Sequence, residues 1–259
     1  MGELCFGVVR EGRADRLGAF TDALGSALGR VVRPWVAPSY ADLLSAFEHG
    51  HVGLGWIPPV PALRGIHRGA LTPIATPMRG GSRGFHSVLF ARVASPFDSA
   101  TRLMGARAAW VDPDSAAGYL ITRAALAVRG MPRGSTFNGE TFLGSHAAVV
   151  RAVLGGQSDV GATYSRERDG GETTTGFAST PGAAENLRVL LRTGPVPDDV
   201  LAVSTRVPAA YVERVQLPFI DEHAAPAAHA AACALFEADR FVPPVQRHLE
   251  PLVSMLTGW

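Results

Sequence analysis

The sequence predicts an α/β protein of two lobes, each a mainly parallel sheet flanked by helices. One observation carries the class and two more the division. From residue 4 onward, short apolar runs alternate with segments of helical period, the pattern of βαβ units. The alternation breaks at Met78-Arg79-Gly80-Gly81-Ser82-Arg83-Gly84, a loop by composition, and a second series follows. Gly194-Pro195-Val196-Pro197-Asp198-Asp199 then reads as a rigid turn and a return crossing. The predicted lobes are residues 1–84 with 196–259, and residues 85–195.

The elements follow in order. Leu4–Val9 reads as a strand, and a helix after it places Leu17, Phe20, Leu24 and Leu28 on one face until Gly29 ends it. Val31–Val36 is a second strand. Ser39 caps a helix that sends Tyr40, Leu43, Leu44 and Phe47 to the core, with Gly50 as its stop. Val52–Ile57 is a third strand, halted by Pro58-Pro59. After the break, Phe85–Val93 and Arg107–Val111 are strands, Gly144-Ser145-His146 opens a helix through Leu154, and Asp159–Thr163 is a strand. Arg166–Ala184, with its RERDGGETTTG run, reads as a polar solvated loop. Leu187–Thr193 and Leu201–Ser204 are strands, and Pro208–Trp259 is a helical series expected to pack on the first lobe.

Composition narrows the function. The chain has 259 residues, 47% hydrophobic and 18% charged, with a net charge of +1, so it lacks the basic stripe of a nucleic-acid binder. No apolar run approaches membrane-spanning length. All 24 basic residues are arginine, which excludes lysine Schiff-base and P-loop chemistry. Cys5 and Cys233 form no metal or redox spacing, nor do His223, His229 and His248, so no metal and no cofactor is expected. The start shows neither a basic n-region nor a long apolar h-region, which leaves a cytoplasmic location open.

The stretch with chemistry is Trp110–Val128, WVDPDSAAGYLITRAALAV: a strand, a break at Asp112-Pro113, and a helix capped by Ser115 and ended by Gly130. The first amides of such a helix lack acceptors within it, and the aligned peptide dipoles make that end positive, so it suits an anionic oxygen. Ser115 can add a hydroxyl. His146, at a second helix start, can donate to an anion beside free amides. No titratable residue is spaced to pair with His146 as a catalytic couple, although Asp112 and Asp114 are the carboxylates nearest in kind.

Six pieces in order, FGVVRE, SYADLLSAFEHGHVGLGWIPP, GFHSVLF, WVDPDSAAGYL, FLGSHAAVVRAVLGGQSDVGA and LRVLLRTGPVPDD, give almost the whole chain a resemblance. It resembles the substrate-binding proteins of phosphate, phosphite and phosphonate ABC transporters, which have the type 2 periplasmic-binding fold of two α/β lobes joined by two crossing strands. The resemblance implies a non-catalytic, monomeric, extracytoplasmic solute-binding protein that serves an ABC permease and closes on a small anion between its lobes. Carried over by residue, it implies ligand contacts at Ser115, Ala116 and Ala117, at Ser145 and His146, at Phe85, and at Ile57 in the turn after Trp56, with Ser87 and Asp199 as further candidates. The chain departs from the family where Ser-Thr-Ser-Gly becomes Ser115-Ala116-Ala117-Gly118, which removes two hydroxyl donors, each worth about 1.5–3 kcal/mol to a charged group. Phe85 and Ile57 stand where relatives carry tyrosine, so an organic phosphonate or a carboxylate is expected over inorganic phosphate. The same fold also serves cytoplasmic enzymes of menaquinone and thiamine-pyrimidine biosynthesis and soluble ligand sensors, and both stay open as alternatives.

Overall fold

A computed structural model of the chain describes residues 3–9, 14–82, 84–167, 173–178, 180–245 and 247–256. The chain forms two compact units, Met1–Arg83 with Asp198–Leu249, and Gly84–Pro197 with Glu250–Trp259.

The first unit begins β1 (Leu4–Val9), α1 (Ala14–Leu28), β2 (Val32–Ala37), α2 (Tyr40–His49), β3 (Leu54–Ile57), α3 (Pro59–His67) and β4 (Leu71–Met78). The second unit runs β5 (Gly84–Arg92), β6 (Ala106–Trp110), a π-helical turn at Ala116–Leu120 leading into α4 (Ile121–Val128), β7 (Phe137–Phe142), α5 (His146–Leu154), β8 (Val160–Glu167), β9 (Thr173–Thr175), α6 (Ala183–Asn186) and β10 (Leu187–Pro197). The chain then gives the first unit β11 (Val200–Ser204), α7 (Val212–Ile220), α8 (Pro226–Phe236) and β12 (Arg240–Val242), and ends with α9 (Glu250–Leu256).

Local signals place many of these boundaries. Ser39 accepts a hydrogen bond from the Asp42 amide and Gly50 closes α2 in the left-handed region, with Tyr40, Leu43, Leu44 and Phe47 all buried. Pro58-Pro59 ends β3 as expected but also starts α3, because proline at a first helical position loses no hydrogen bond. The core of the first unit joins Phe6, Phe20, Trp56, Phe219, Phe236 and Phe241, with Trp56 stacked on Phe236 at 4.2 Å.

Each sheet is mixed. In the first, ordered β12-β4-β11-β3-β1-β2, the β2-β1-β3 part is parallel and the rest antiparallel. In the second, β7-β6-β8 is parallel, and β5, β10 and β9 pair antiparallel. The antiparallel strands account for what the sequence hides. Gly194–Pro197 is not a turn but the end of β10, with Val196 opposite Phe85, since a proline on the outermost strand of a sheet needs no ladder partner for its nitrogen. The expected polar loop after Arg166 is in part a hairpin, β8 with β9; its residues 168–172 lie outside the described ones. The loop expected at Met78–Gly84 is a tight turn in which Arg79 bridges Ser82 across Gly80 and Gly81, both at positive φ; Arg83 lies outside the described residues. The last helix, placed with the first lobe by sequence, packs instead on α4 and β10 of the second unit.

The parallel parts share one topology. A central strand, β1 or β6, is followed by a helix and an edge strand, then by a second helix that returns to the central strand's other side. Right-handed crossovers put those two helices on opposite faces, so the carboxyl end of the central strand is a switch point where a crevice opens.

Candidate functional site

In the second unit the switch point lies beyond β6, and the backbone of Val111 organises it. The Val111 N–H donates to the Gly118 carbonyl at 3.2 Å, and the Val111 carbonyl accepts from the Gly144 N–H at 2.8 Å. The helix start after Asp112 and the turn before α5 are thereby fixed to a single residue. Gly118 is required for this approach: a Cβ there would lie 2.3 Å from Val111 Cγ2.

The first of these helix starts departs from the plain α-helix that the sequence predicts. Ser87 Oγ donates to the Ala117 carbonyl at 2.7 Å, and Val111 takes the Gly118 carbonyl. With two carbonyls diverted, the amides of Leu120 and Ile121 bond five residues back, to Ser115 and Ala116, and the turn widens. Ser115 Oγ accepts from the Gly118 amide at 3.1 Å, so Ser115 is the cap that the sequence predicts. Its hydroxyl hydrogen has no acceptor among the described residues, and neither do the amides of Ala116 and Ala117. Three donors therefore converge at a positive helix end.

At the second start, Ser145 Oγ accepts from the Ala148 amide, and His146 begins α5 half-buried. His146 Nδ1 shares a 3.0 Å hydrogen bond with Thr163 Oγ1, while its ring meets the Tyr164 ring edge-on at 5.1 Å. These contacts fix the imidazole plane. Tyr164 continues to Phe85, 6.5 Å away and buried, and the Arg166 guanidinium lies over both rings, at 5.1 Å from Phe85 and 5.2 Å from Tyr164.

Other candidates have different surroundings. Ser87 is fully buried; having donated to Ala117 it accepts from Thr122 Oγ1 at 2.6 Å, so it fastens the helix start from beneath. Ile57 and Asp199 belong to the first unit. Ile57 is fully buried at the end of β3, paired with Val200, and Asp199 is half-buried between β10 and β11. Beside it Asp198, fully buried, takes a 2.8 Å ion pair from Arg79, which also donates to the carbonyls of Phe236 and Glu237 and covers Trp56. Thr122, Thr163, Tyr164, Arg166 and the Arg79–Asp198 pair escape sequence reasoning, because strand alternation marks which residues share a face but not which pairs meet.

The arrangement groups hydrogen-bond donors at two helix starts. Asp112 Oδ1 accepts from the Asp114 amide at 2.8 Å, and the Thr163 hydroxyl orients the His146 ring. Charged groups elsewhere in the unit are structural. Arg107 bonds Asp159 and holds its carboxyl below the usual range, and burial with Arg192 nearby lowers His86. Among the described residues no cluster of three or more His, Cys, Asp or Glu is placed to hold a metal, and no helix is long and apolar enough to cross a membrane.

Comparison with known proteins gives the family and the fold. A family described as the periplasmic substrate-binding protein of phosphonate ABC transporters matches residues 11–249. Among solved structures, the chain is similar to a binding protein component of an ABC phosphonate transporter, PA3383 from Pseudomonas aeruginosa, at 19% identity and TM-score 0.83, over 98% of this chain and 85% of that one. It is similar to XAC2383 from Xanthomonas citri, bound to chloride ion, at 23% identity and TM-score 0.79, over 98% and 97% of the two chains. A third likeness is to PhnD1 from Prochlorococcus marinus in complex with methylphosphonate, at 16% identity and TM-score 0.76, over 98% and 96%.

Proposed function

The chain belongs to the phosphonate-binding family of ABC transporter periplasmic substrate-binding proteins, and on that premise we propose that it is a non-catalytic solute-binding protein for a small phosphonate-like oxyanion, working with an ABC permease. The observation that carries the reading is the cluster of donors at Ser115, Ala116 and Ala117 that have no acceptor among the described residues, tied through Val111 to the helix start that holds His146. Amides at a helix start bind an oxyanion without a charged side chain, and His146 Nε2 is the atom we assign as a further donor. Phe85 and Tyr164 give the site an apolar wall, which suits an organic substituent better than the fourth oxygen of phosphate. Closure of two lobes on the ligand, as the resemblance implies, is part of this proposal.

The test is a melting-temperature screen of the purified protein against phosphate, phosphite, sulfate, alkylphosphonates and small carboxylates. A ligand at a hundred times its Kd stabilises the native state by about 2.7 kcal/mol, which is a shift of several degrees. A phosphonate hit that is lost in His146→Ala supports the assignment. If no anion moves the melting temperature, the binder reading is overturned, and turnover assays for a cytoplasmic enzyme of this fold become the next step.

A further inference from the structure

One charged group of the second unit does not fit the structural role of the others. Arg123, on α4, has a fully buried side chain, and its Nε, Nη1 and Nη2 have no hydrogen-bond partner among the described residues. Its counter-charge is Glu140 on β7, whose Oε2 lies 3.6 Å from Nε, and its guanidinium sits 5.0 Å from the centre of the Phe137 ring. Arg133 and the Tyr119 side chain are the other polar groups that act on it.

For folding alone this arrangement is a loss. A buried guanidinium that meets its carboxylate at a distance and leaves its N–H groups unsatisfied costs stability, and an apolar side chain of similar length would avoid that cost. Nor is the carboxylate reserved for Arg123, since Glu140 Oε2 accepts from Trp110 Nε1 at 2.7 Å. Trp110 immediately precedes Val111, the residue to which both helix starts are tied. Arg123 is thus joined to the donor site by its helix, and Glu140 by the end of β6.

The donors at Ser115–Ala117 are dipoles, and Arg123 places a full charge behind them. It lies six residues after Ala117 on the same helix, about 9 Å along the axis, and a helical side chain leans back towards the helix start. Glu140 opposes it only in part, because its side chain is 26% exposed and screened by water while that of Arg123 is not. A unit charge about 10 Å from an anion, at an effective dielectric of about 20, is worth about tenfold in Kd before Glu140 is counted. Each negative charge on the ligand gains this separately.

Resting on the anion-binding reading of this site, we propose that Arg123 is a specificity-determining residue whose buried charge, without touching the ligand, makes the helix start select doubly charged oxyanions such as phosphonates over singly charged ones such as sulfonates. The same charge offsets the side-chain hydroxyls absent at Ala116 and Ala117.

Titration calorimetry at mildly alkaline pH, with methylphosphonate, its singly charged isostere methanesulfonate and inorganic phosphate, tests the proposal in the wild type, Arg123→Met and Glu140→Gln. Methionine fills the site without charge, and glutamine still accepts from Trp110 while removing the opposing charge. The wild type is expected to bind methylphosphonate at least about tenfold more tightly than methanesulfonate. Arg123→Met should weaken methylphosphonate about five- to tenfold, and Glu140→Gln should tighten it about two- to threefold. Two substitutions that merely loosened the packing would both weaken binding, so the opposite signs are the mark of a charge effect. A methylphosphonate Kd within about twofold of wild type in Arg123→Met, a change of the same sign in both variants, or equal wild-type affinity for methanesulfonate overturns the role of Arg123 and leaves the binder reading intact. If none of the three anions binds the wild type, the binder reading falls and this inference falls with it. Should Arg123→Met fail to fold, tightening in Glu140→Gln supports the proposal and weakening overturns it.

Discussion

Replacing Ala116 by proline removes a candidate ligand donor without touching a side-chain contact. The Ala116 N–H has no acceptor among the described residues, so its loss breaks no internal bond. Ala116 is also the first residue of its helix, the position where proline is favoured because its fixed φ suits the first turn. Ser115 before it has φ −75° and ψ 119°, the extended conformation that a residue preceding proline adopts. The cost to folding should stay under about 1 kcal/mol. The cost to an oxyanion is a charge-assisted hydrogen bond, about 1.5–3 kcal/mol, or roughly tenfold to a hundredfold in Kd. Calorimetric titration with whichever anion gives the largest thermal shift measures it, and Ala116→Ser, which keeps the amide and adds a hydroxyl, should bind at least as tightly as the wild type. A proline variant with unchanged melting temperature and a Kd within about twofold of wild type would refute the claim that this helix start holds the ligand.

Three further expectations concern the frame of the protein. Gly118→Ala drives a Cβ into Val111 and Ser115 Oγ, so denaturant unfolding should show a loss of about 2–3 kcal/mol; a loss below about 0.5 kcal/mol would mean that the helix start is not pinned to Val111. Arg79→Met takes the cation from Asp198, whose side chain is fully buried, and should cost about 3 kcal/mol by the same assay; an unchanged midpoint would remove the pair from the account of the first unit. Arg107 holds the Asp159 carboxyl below its unfolded value, which is about 3.9, so its contribution is present above that pH and is lost as pH falls through the lower folded value. Asp159→Asn should accordingly melt below wild type at neutral pH, with the gap closing on acidification. A gap of constant size down to acid pH would contradict the assignment.

What the sequence revealed and what it hid follow the range of the interactions involved. Caps are local, so Ser39, Gly50, Ser115, Ser145 and Gly130 could each be placed from a few neighbours. The βαβ spacing likewise exposed β1 to β3 and, in the second unit, β5, β6 and β8, but not β7, whose residues are mostly exposed and lack an apolar run. The antiparallel strands were harder. β10 pairs with β5 across about a hundred residues of chain, and nothing within GPVPDD signals that Val196 will lie opposite Phe85. The widened turn at Ala116 was hidden for the same reason: its cause is Ser87, thirty residues earlier on another strand. Arg166 lay in a run that reads as solvated charge, whereas its guanidinium lies over the Tyr164 and Phe85 rings.

Ser115 shows why a cap and a ligand residue need not be alternatives. A hydroxyl accepts and donates at once: Ser115 Oγ accepts from the Gly118 amide, and its own hydrogen is left for a ligand. Ser115→Ala removes both functions, so a weaker ligand response in that variant would be confounded by a stability loss of about 1 kcal/mol. Ser115→Gly separates them, because glycine caps a helix within a few tenths of a kcal/mol of serine while lacking the same donor. If Ser115 contacts the oxyanion, the glycine variant should keep nearly all of the wild-type stability and lose about tenfold in affinity, whereas alanine should lose both. Equal affinity in glycine and wild type would return Ser115 to the role of a cap alone and leave the amides of Ala116 and Ala117 to hold the anion.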